Sequence, residues 1–295
     1  MGSLFGYLLA KSGENVFLID IWKAHVNTLN SAGIKVESAG TVSRVDIKAS
    51  TVVDDAPPSD LVIIFVKSTQ TKQAAYQALK CLKKSGRVLT LQNGMGNADQ
   101  ISQIVDPDRV IAGTTSHGAT VLATGFIRHA GVGLTTLGMW SQKKSSRLEE
   151  IKKIFCQAGI DTVIERDIHL TVWKKLIINV GINAITALTG VKNGNIVDIS
   201  PTGELVRSAV QESCDVALAN GVKLPHDIAD QVFKVARATS PNRSSMGQDV
   251  DNRRQTEIDA INGAIVRMAK KKGIQVPVNQ TLTALIKTMQ QNYKE

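Results

Sequence analysis

Two periodicities divide the chain. Up to about residue 165, short apolar runs alternate with helix-like stretches: "SLFGYLLAKSG", "NVFLID", a helical pattern near 24–32, "DLVIIFVKS", another near 71–84, and "GRVLTLQNG". Strands that are apolar on both faces belong to sheets covered on both sides, so this order predicts a doubly wound parallel sheet. "IKVESAG" and "VSRVDIKAST" predict a hairpin inserted into it. The β-branched runs from "RVIAGTTSHGATVL" to "GVGLTTLG" predict more strands, with an antiparallel edge. After "DTVIERD" the strand signal fades and helical periods follow, near 168–189, 203–220, 226–239, 250–272 and 278–291. Their separators, "KNGN", "NGVKLP", "TSPNRSS" and "KGIQVP", hold the residues that stop and start helices. The expected architecture is α/β, a Rossmann-like doubly wound parallel sheet over residues 1–166 followed by an all-helical domain over 167–295.

Composition narrows the classes. The 295 residues are 43% hydrophobic and 21% charged, which suits a globular protein and excludes disorder as the default. The net charge of +9 comes from scattered Lys and Arg with only 4% aromatics, so it reads as a solvated basic surface, compatible with a small anionic substrate, rather than a nucleic-acid site. Cys81, Cys156 and Cys214 are far apart and odd in number, which indicates neither a disulfide framework nor a metal site, and fits a reducing cytoplasm. No apolar run is long enough for a helical membrane span, so neither a nucleic acid nor a membrane is an expected partner.

Candidate chemistry lies at the strand ends and on the helices. In a dinucleotide fold a strand runs into G-x-G-x-x-G, whose third glycine lets the next helix pack on the sheet. Gly2 fits that third position, and Asp20, eighteen residues on, fits the strand-end acid that hydrogen-bonds a ribose hydroxyl. Lys67 and Asn93 fall at the carboxyl ends of two further strands, where open α/β sheets bind ligands.

In "VWKKLIINVGINAITALTG", Lys175, Asn179 and Asn183 stand at i, i+4 and i+8, on one face of a helix. Trp173, Leu176, Ile177, Ile178, Val180 and Ile182 bury the rest, so the polar stripe reads as a ligand-facing wall. Ser245 with Gln248 fits a capping box, and Arg253 with Glu257 fits a surface ion pair one helical turn apart. Asn262 and Gly263 follow on what reads as the same helix, where an interior glycine calls for a packing or functional reason.

The stretches "MGSLFG", "VKSTQT", "QNGMGN", "GTTSHG", "WKKLIINVGINAITAL", "NRSSM" and "RRQTEIDAINGAIVRMAKKKGIQVPVN" resemble, in order along nearly the whole chain, the ketopantoate reductase (2-dehydropantoate 2-reductase) family. The resemblance implies a 6-phosphogluconate-dehydrogenase-like fold and nicotinamide-dependent reduction of 2-dehydropantoate to pantoate, toward pantothenate and coenzyme A. It implies that Lys175 is the catalytic proton or hydrogen-bond donor and Glu257 its acidic partner. Asn93, Asn179, Asn183 and Ser245 match substrate-binding positions. Gly2, Asp20, Lys67, Asn93 and Glu257 match the cofactor side; no metal is implied. The expected ligand is a small anionic 2-keto acid; oligomeric state stays open, a homodimer being one option.

Two departures bear on this. The family's cofactor is NADP(H), yet a carboxylate at Asp20 repels a 2′-phosphate and favours NAD(H), with Lys23 placed to offset it. The first strand and leading glycines that precede "MGSLFG" in the family are also missing, which suggests a start at an internal methionine of a longer reading frame. A dehydrogenase for another small 2-keto acid, a non-catalytic dinucleotide-binding protein and an inactive fragment are the competing expectations.

Overall fold

The structure is a computed structural model that describes residues 1–293. The chain divides into two compact units, residues 1–92 with 97–168, and residues 93–96 with 169–295. Among the described residues, no helix is long and apolar enough to cross a membrane.

The first unit runs α1 (Gly2–Lys11), β1 (Phe17–Ile19), α2 (Lys23–Ala32), β2 (Ile34–Ser38), β3 (Thr41–Val45), β4 (Lys48–Ser50), β5 (Ser59–Ile64), α3 (Thr71–Cys81), β6 (Leu82–Thr90) and α4 (Asn97–Ser102). It continues with β7 (Val110–Thr115), β8 (Gly118–Ala123), β9 (Phe126–Gly131), β10 (Thr135–Met139), α5 (Ser146–Gln157) and β11 (Thr162–Ile164). Five strands form one sheet in the order β11-β10-β7-β6-β5, with β5, β6 and β7 parallel and β10 antiparallel to β7. Strands β1 and β4 form a parallel pair, and β3-β2-β9-β8 form a third sheet that contains the expected hairpin.

Helix α1 is apolar all round because it is covered on two sides. Phe5 and Leu9 join Leu89, Ile111, Leu137 and Phe155 in one core, whereas Leu4 and Tyr7 join Val26, Leu29, Ile34 and Ile127 in another. Gly6 is closely approached by this packing, since a Cβ there would come within 2.8 Å of Leu18 Cδ2, the end of a flexible side chain. A Cβ at Gly2 would touch Phe65 Cβ at 3.8 Å, an ordinary contact, so the close approach expected at Gly2 is tighter at Gly6.

Other expectations shift for local reasons. The helix expected to reach residue 84 ends at Cys81, because Leu82 already opens β6. Strand β5, expected to be buried, lies at the edge of its sheet, and only Ile64 is fully covered. Helix α5 escaped the sequence pattern, although Leu148, Ile151 and Phe155 bury one face at helical spacing.

The second unit comprises α6 (Ile168–Thr189), α7 (Asn195–Asp198), α8 (Ser200–Ala219), α9 (Ile228–Ala238), α10 (Ser245–Asp251), α11 (Asn262–Lys272) and α12 (Pro277–Gln291). Leu176, Ile177, Val180 and Ile185 of α6 pack with Val206 and Val210 of α8, Val232 of α9, Ile265 of α11 and Ile286 of α12. The single helix expected over 250–272 is instead two. Residues 252–261 leave helical geometry except for a 3-10 turn at Ile258–Ala260, and Asn262 and Gly263 open α11 rather than lying inside a helix.

Candidate active site

Helix α6 carries the centre of the site. It is unbroken from Ile168 to Thr189, so Lys175, Asn179 and Asn183 follow one another at steps of about 6 Å along one face. Asn183 is buried, and Lys175 and Asn179 are partly so. The Nδ2 groups of Asn179 and Asn183 are buried hydrogen-bond donors without a partner among the described residues. A donor left this way costs about 1–3 kcal/mol, a penalty that a bound acceptor would remove. Burial lowers the Lys175 ammonium from its ordinary value to about 8, against the opposing attraction of the Glu257 carboxylate. The structure therefore brings Lys175 and Glu257 within electrostatic reach.

Glu257 occupies the irregular segment between α10 and α11, at the entrance to the 3-10 turn. It is not one helical turn from Arg253, as the ion-pair reading requires, because Arg253, two residues past α10, takes the left-handed region (φ 50°). Asn93 lies three residues past β6, in the short 93–96 loop that groups with the helical unit. Met95 N–H donates to Ala260 O at 2.8 Å, and Gly94 (φ +84°) approaches so closely that a Cβ would fall 2.4 Å from the same carbonyl oxygen. Glycine is required there on both counts. The loop that bears Asn93 is thus seated on the segment that bears Glu257.

The 243–245 loop is fastened to the far end of α6. Ser244, not Ser245, caps α10: its Oγ accepts Gly247 N–H at 3.0 Å and lies 2.7 Å from Thr186 Oγ1. Ser245 is the first helical residue and is exposed, which overturns the capping box read from the sequence. Arg243 grips Asp251 with two nitrogens, at 2.8 and 2.9 Å, and donates to the Thr186 and Val191 carbonyls. Sequence reasoning missed Asn193, which is buried with its Oδ1 unpartnered while Nδ2 donates to Thr239 Oγ1 at 3.0 Å. Its only signal was the separator "KNGN".

In the first unit, the start of α1 lies near two of the expected cofactor residues. The Met1 ammonium is lowered by burial, while Asp20 raises it and Lys67 lowers it, so all three charges are within electrostatic reach. Asp20 Oδ1 accepts Trp22 N–H at 2.9 Å. No side chain caps the N-terminus of α1, whose first N–H groups suit a phosphate. Lys67, exposed, lies three residues past β5 and enters a 3-10 turn at Ser68–Gln70. Its loop is tied to the end of β6: Gln92 Nε2 donates to Val66 O at 2.6 Å and to Thr71 Oγ1 at 2.8 Å, and Thr71 donates to Asn97 Oδ1 at 2.9 Å. His25, also missed, is buried, with Nε2 3.1 Å from Ser3 Oγ and Nδ1 accepting Gly125 N–H at 3.0 Å.

A parallel α/β sheet unit with an acid beside a helix N-terminus, joined to a helical unit with an ammonium at the head of amide donors, is the construction of a two-domain dehydrogenase. The comparisons make this specific. Residues 1–142 match the family model "Ketopantoate reductase PanE/ApbA" and residues 167–290 match "Ketopantoate reductase PanE/ApbA C terminal". The chain belongs to the ketopantoate reductase family. It is 36% identical to a 2-dehydropantoate 2-reductase of Halobacterium salinarum over 294 residues, which cover 99% of this chain and 96% of the relative. Among solved structures it is similar to a PanE/ApbA family ketopantoate reductase from Ralstonia eutropha JMP134, with a TM-score of 0.91, 32% identity and coverage of 99% and 95%. It is also similar to D-mandelate dehydrogenase in a ternary structure with NADH and anilino(oxo)acetate, with a TM-score of 0.93, 26% identity and coverage of 100% and 97%.

Proposed function

We propose that this protein reduces 2-dehydropantoate to pantoate with a nicotinamide dinucleotide, as an oxidoreductase of pantothenate and coenzyme A biosynthesis. The observation that carries the proposal is the α6 line: a partly buried ammonium followed by two buried amide donors without a partner among the described residues. A small acid with a carboxylate, a keto oxygen and a hydroxyl supplies acceptors for such a line.

When bound, the nicotinamide supplies a hydride to the keto carbon. Residues 1–166 are assigned to the cofactor and 167–295 to the substrate. Gly2, Asp20, Lys67, Asn93 and Glu257 are the residues assigned to hold the dinucleotide. Asp20 and the uncapped start of α1, which lie within reach of each other, fit a ribose and a phosphate.

The remaining steps belong to the chain. Lys175 hydrogen-bonds the keto oxygen and gives up a proton from Nζ as negative charge develops there, an interaction stronger in the transition state than in the ground state. Its lowered proton affinity suits a general acid near neutral pH. Glu257 keeps Lys175 protonated by its charge, and Asn93, Asn179, Asn183 and Ser245 hold the substrate's polar groups.

The reductant proposed is NADPH, on the family pattern, with NADH the rival that the Asp20 carboxylate favours. The likeness to D-mandelate dehydrogenase supports a second reading, reduction of an aryl-substituted 2-keto acid. Initial rates of NADPH and NADH oxidation with ketopantoate and with phenylglyoxylate separate these readings. A preference for phenylglyoxylate replaces the substrate assignment, and rates unchanged by Lys175→Ala refute the mechanism.

A further inference from the structure

Helix α12 touches the Glu257 segment at three points. Near its C-terminus, the buried Gln290 accepts Thr256 N–H through Oε1 at 2.6 Å, on the residue just before Glu257. One turn before Gln290, Lys287 pairs with Asp259 at 2.6 Å. At its N-terminus, the fully buried Asn279 accepts from Asn262 Nδ2 at 3.0 Å, on the residue that opens α11.

The N-terminal contact is itself anchored. Glu212 of α8 accepts Val278 N–H at 2.8 Å, Asn279 N–H at 2.9 Å and Asn279 Nδ2 at 2.8 Å. A carboxylate from a different helix thereby caps α12, whose own N-cap residue, Val276, makes no side-chain cap bond. Asn279 Nδ2 also donates to Ala209 O at 3.0 Å, which leaves its amide one orientation.

The spacing of the two ends matters. Asn279 and Gln290 are eleven residues apart on a helix, about 16 Å at 1.5 Å per residue. Between these contacts the chain turns on itself: Ala260 and Ile261 N–H both donate to the Glu257 carbonyl, at 3.0 and 3.1 Å. Glu257 thus opens a hydrogen-bonded turn that α12 fastens on both sides, through Thr256 and through Asn262.

We propose that α12 is the gauge that sets Glu257 against Lys175, with Gln290 and the Asn262–Asn279 pair as positioning residues for the reaction. The inference rests on the function proposed above. Glu257 is the charge that acts on Lys175, whereas Asp259, held by Lys287 and Arg267, is about half exposed. Loss of either end of the gauge lets Glu257 withdraw, and Lys175 then titrates at lower pH.

The test compares Gln290→Met and Asn279→Ser, each alone and combined with Glu257→Gln, by ketopantoate kinetics and by NMR titration of 15N-labelled lysine ammonium groups. Gln290→Met is the milder variant, because it removes one acceptor near a helix end. The expected result for each single variant is a kcat about tenfold lower, a smaller change in KM, and a Lys175 midpoint displaced below about 8, in the direction that Glu257→Gln displaces it. In the Glu257→Gln background the same substitutions should add little. Unmoved midpoints, or kcat losses that multiply fully with Glu257→Gln, overturn the inference while leaving the function standing. If Lys175→Ala leaves the rate unchanged, the proposed mechanism fails instead; the NMR midpoints still decide whether α12 positions Glu257.

Discussion

Replacing Lys175 by Met should abolish reduction and make the protein more stable. The ammonium is held at about 8 instead of 10.5, mainly by burial. At about 1.4 kcal/mol per tenfold change in proton affinity, that difference amounts to roughly 3 kcal/mol, which partial hydration of the side chain reduces to about 2–3 kcal/mol. The sign follows from the two affinities. Below pH 8 the residue is charged in both folded and unfolded chains, and the folded state carries the full desolvation cost. Between pH 8 and about 10.5 the folded chain releases its proton first, so the wild type gains stability as pH rises, and the cost disappears. Methionine fills a similar volume without charge. At about 2–4 °C per kcal/mol, the melting temperature of Lys175→Met at pH 7 should exceed that of the wild type by roughly 5–10 °C, and the gap should narrow to a few degrees by pH 10. Scanning calorimetry at both pH values measures this. A variant that melts lower at pH 7, or a gap independent of pH, would show that Lys175 is not a strained cation and would remove the physical basis of its assignment as the acid.

Further outcomes are expected at neighbouring positions. Glu257→Gln removes the attraction that raises the Lys175 proton affinity, so the alkaline limb of the kcat/KM profile, near pH 8 in the wild type, should move to lower pH; an unmoved limb would disconnect the two residues. Asn183→Ala deletes a buried amide whose Nδ2 has no partner, so urea melts should show a stability loss under about 1 kcal/mol while KM for the keto acid rises about tenfold or more. Ser244→Ala should cost about 1–2 kcal/mol through the lost cap, whereas Ser245→Ala, on an exposed side chain, should leave the melt unchanged and raise KM. Asp20→Ser should shift the kcat/KM ratio about tenfold toward NADPH; a ratio that stays fixed would place cofactor choice elsewhere.

How far the sequence foretells the site depends on how local each determinant is. Lys175, Asn179 and Asn183 are legible because three polar residues at helical spacing interrupt a mostly apolar run. The break between α10 and α11 is not legible. Ile258, Ile261 and Ile265 keep an apolar period through it, and the chain leaves the helix in a region held by Gln290 and Asn279, residues far along the sequence. The choice of Ser244 over Ser245 as the cap also depends on a distant partner, Thr186. Gly2 and Gly6 look alike in the sequence, and only the position of Leu18 on β1 shows which of them is the more closely approached. Local periodicity thus identifies the helix that bears the acid, while the placement of its carboxylate partner is a tertiary property.

The four residues of the 93–96 loop make the division of the chain into halves less simple than it looks. They belong with the helical unit but are flanked on both sides by the sheet unit, so the backbone passes between the units three times: after Gln92, after Gly96 and after Ile168. A single cut near residue 168 cannot therefore yield two intact units. The helical half made this way would lose Met95 from the Ala260 carbonyl and Gly94 from its side, just beyond the turn that begins at Glu257. Evolution by recombination, or any attempt to graft the helical half onto another nucleotide-binding sheet, would have to carry this loop along or rebuild it.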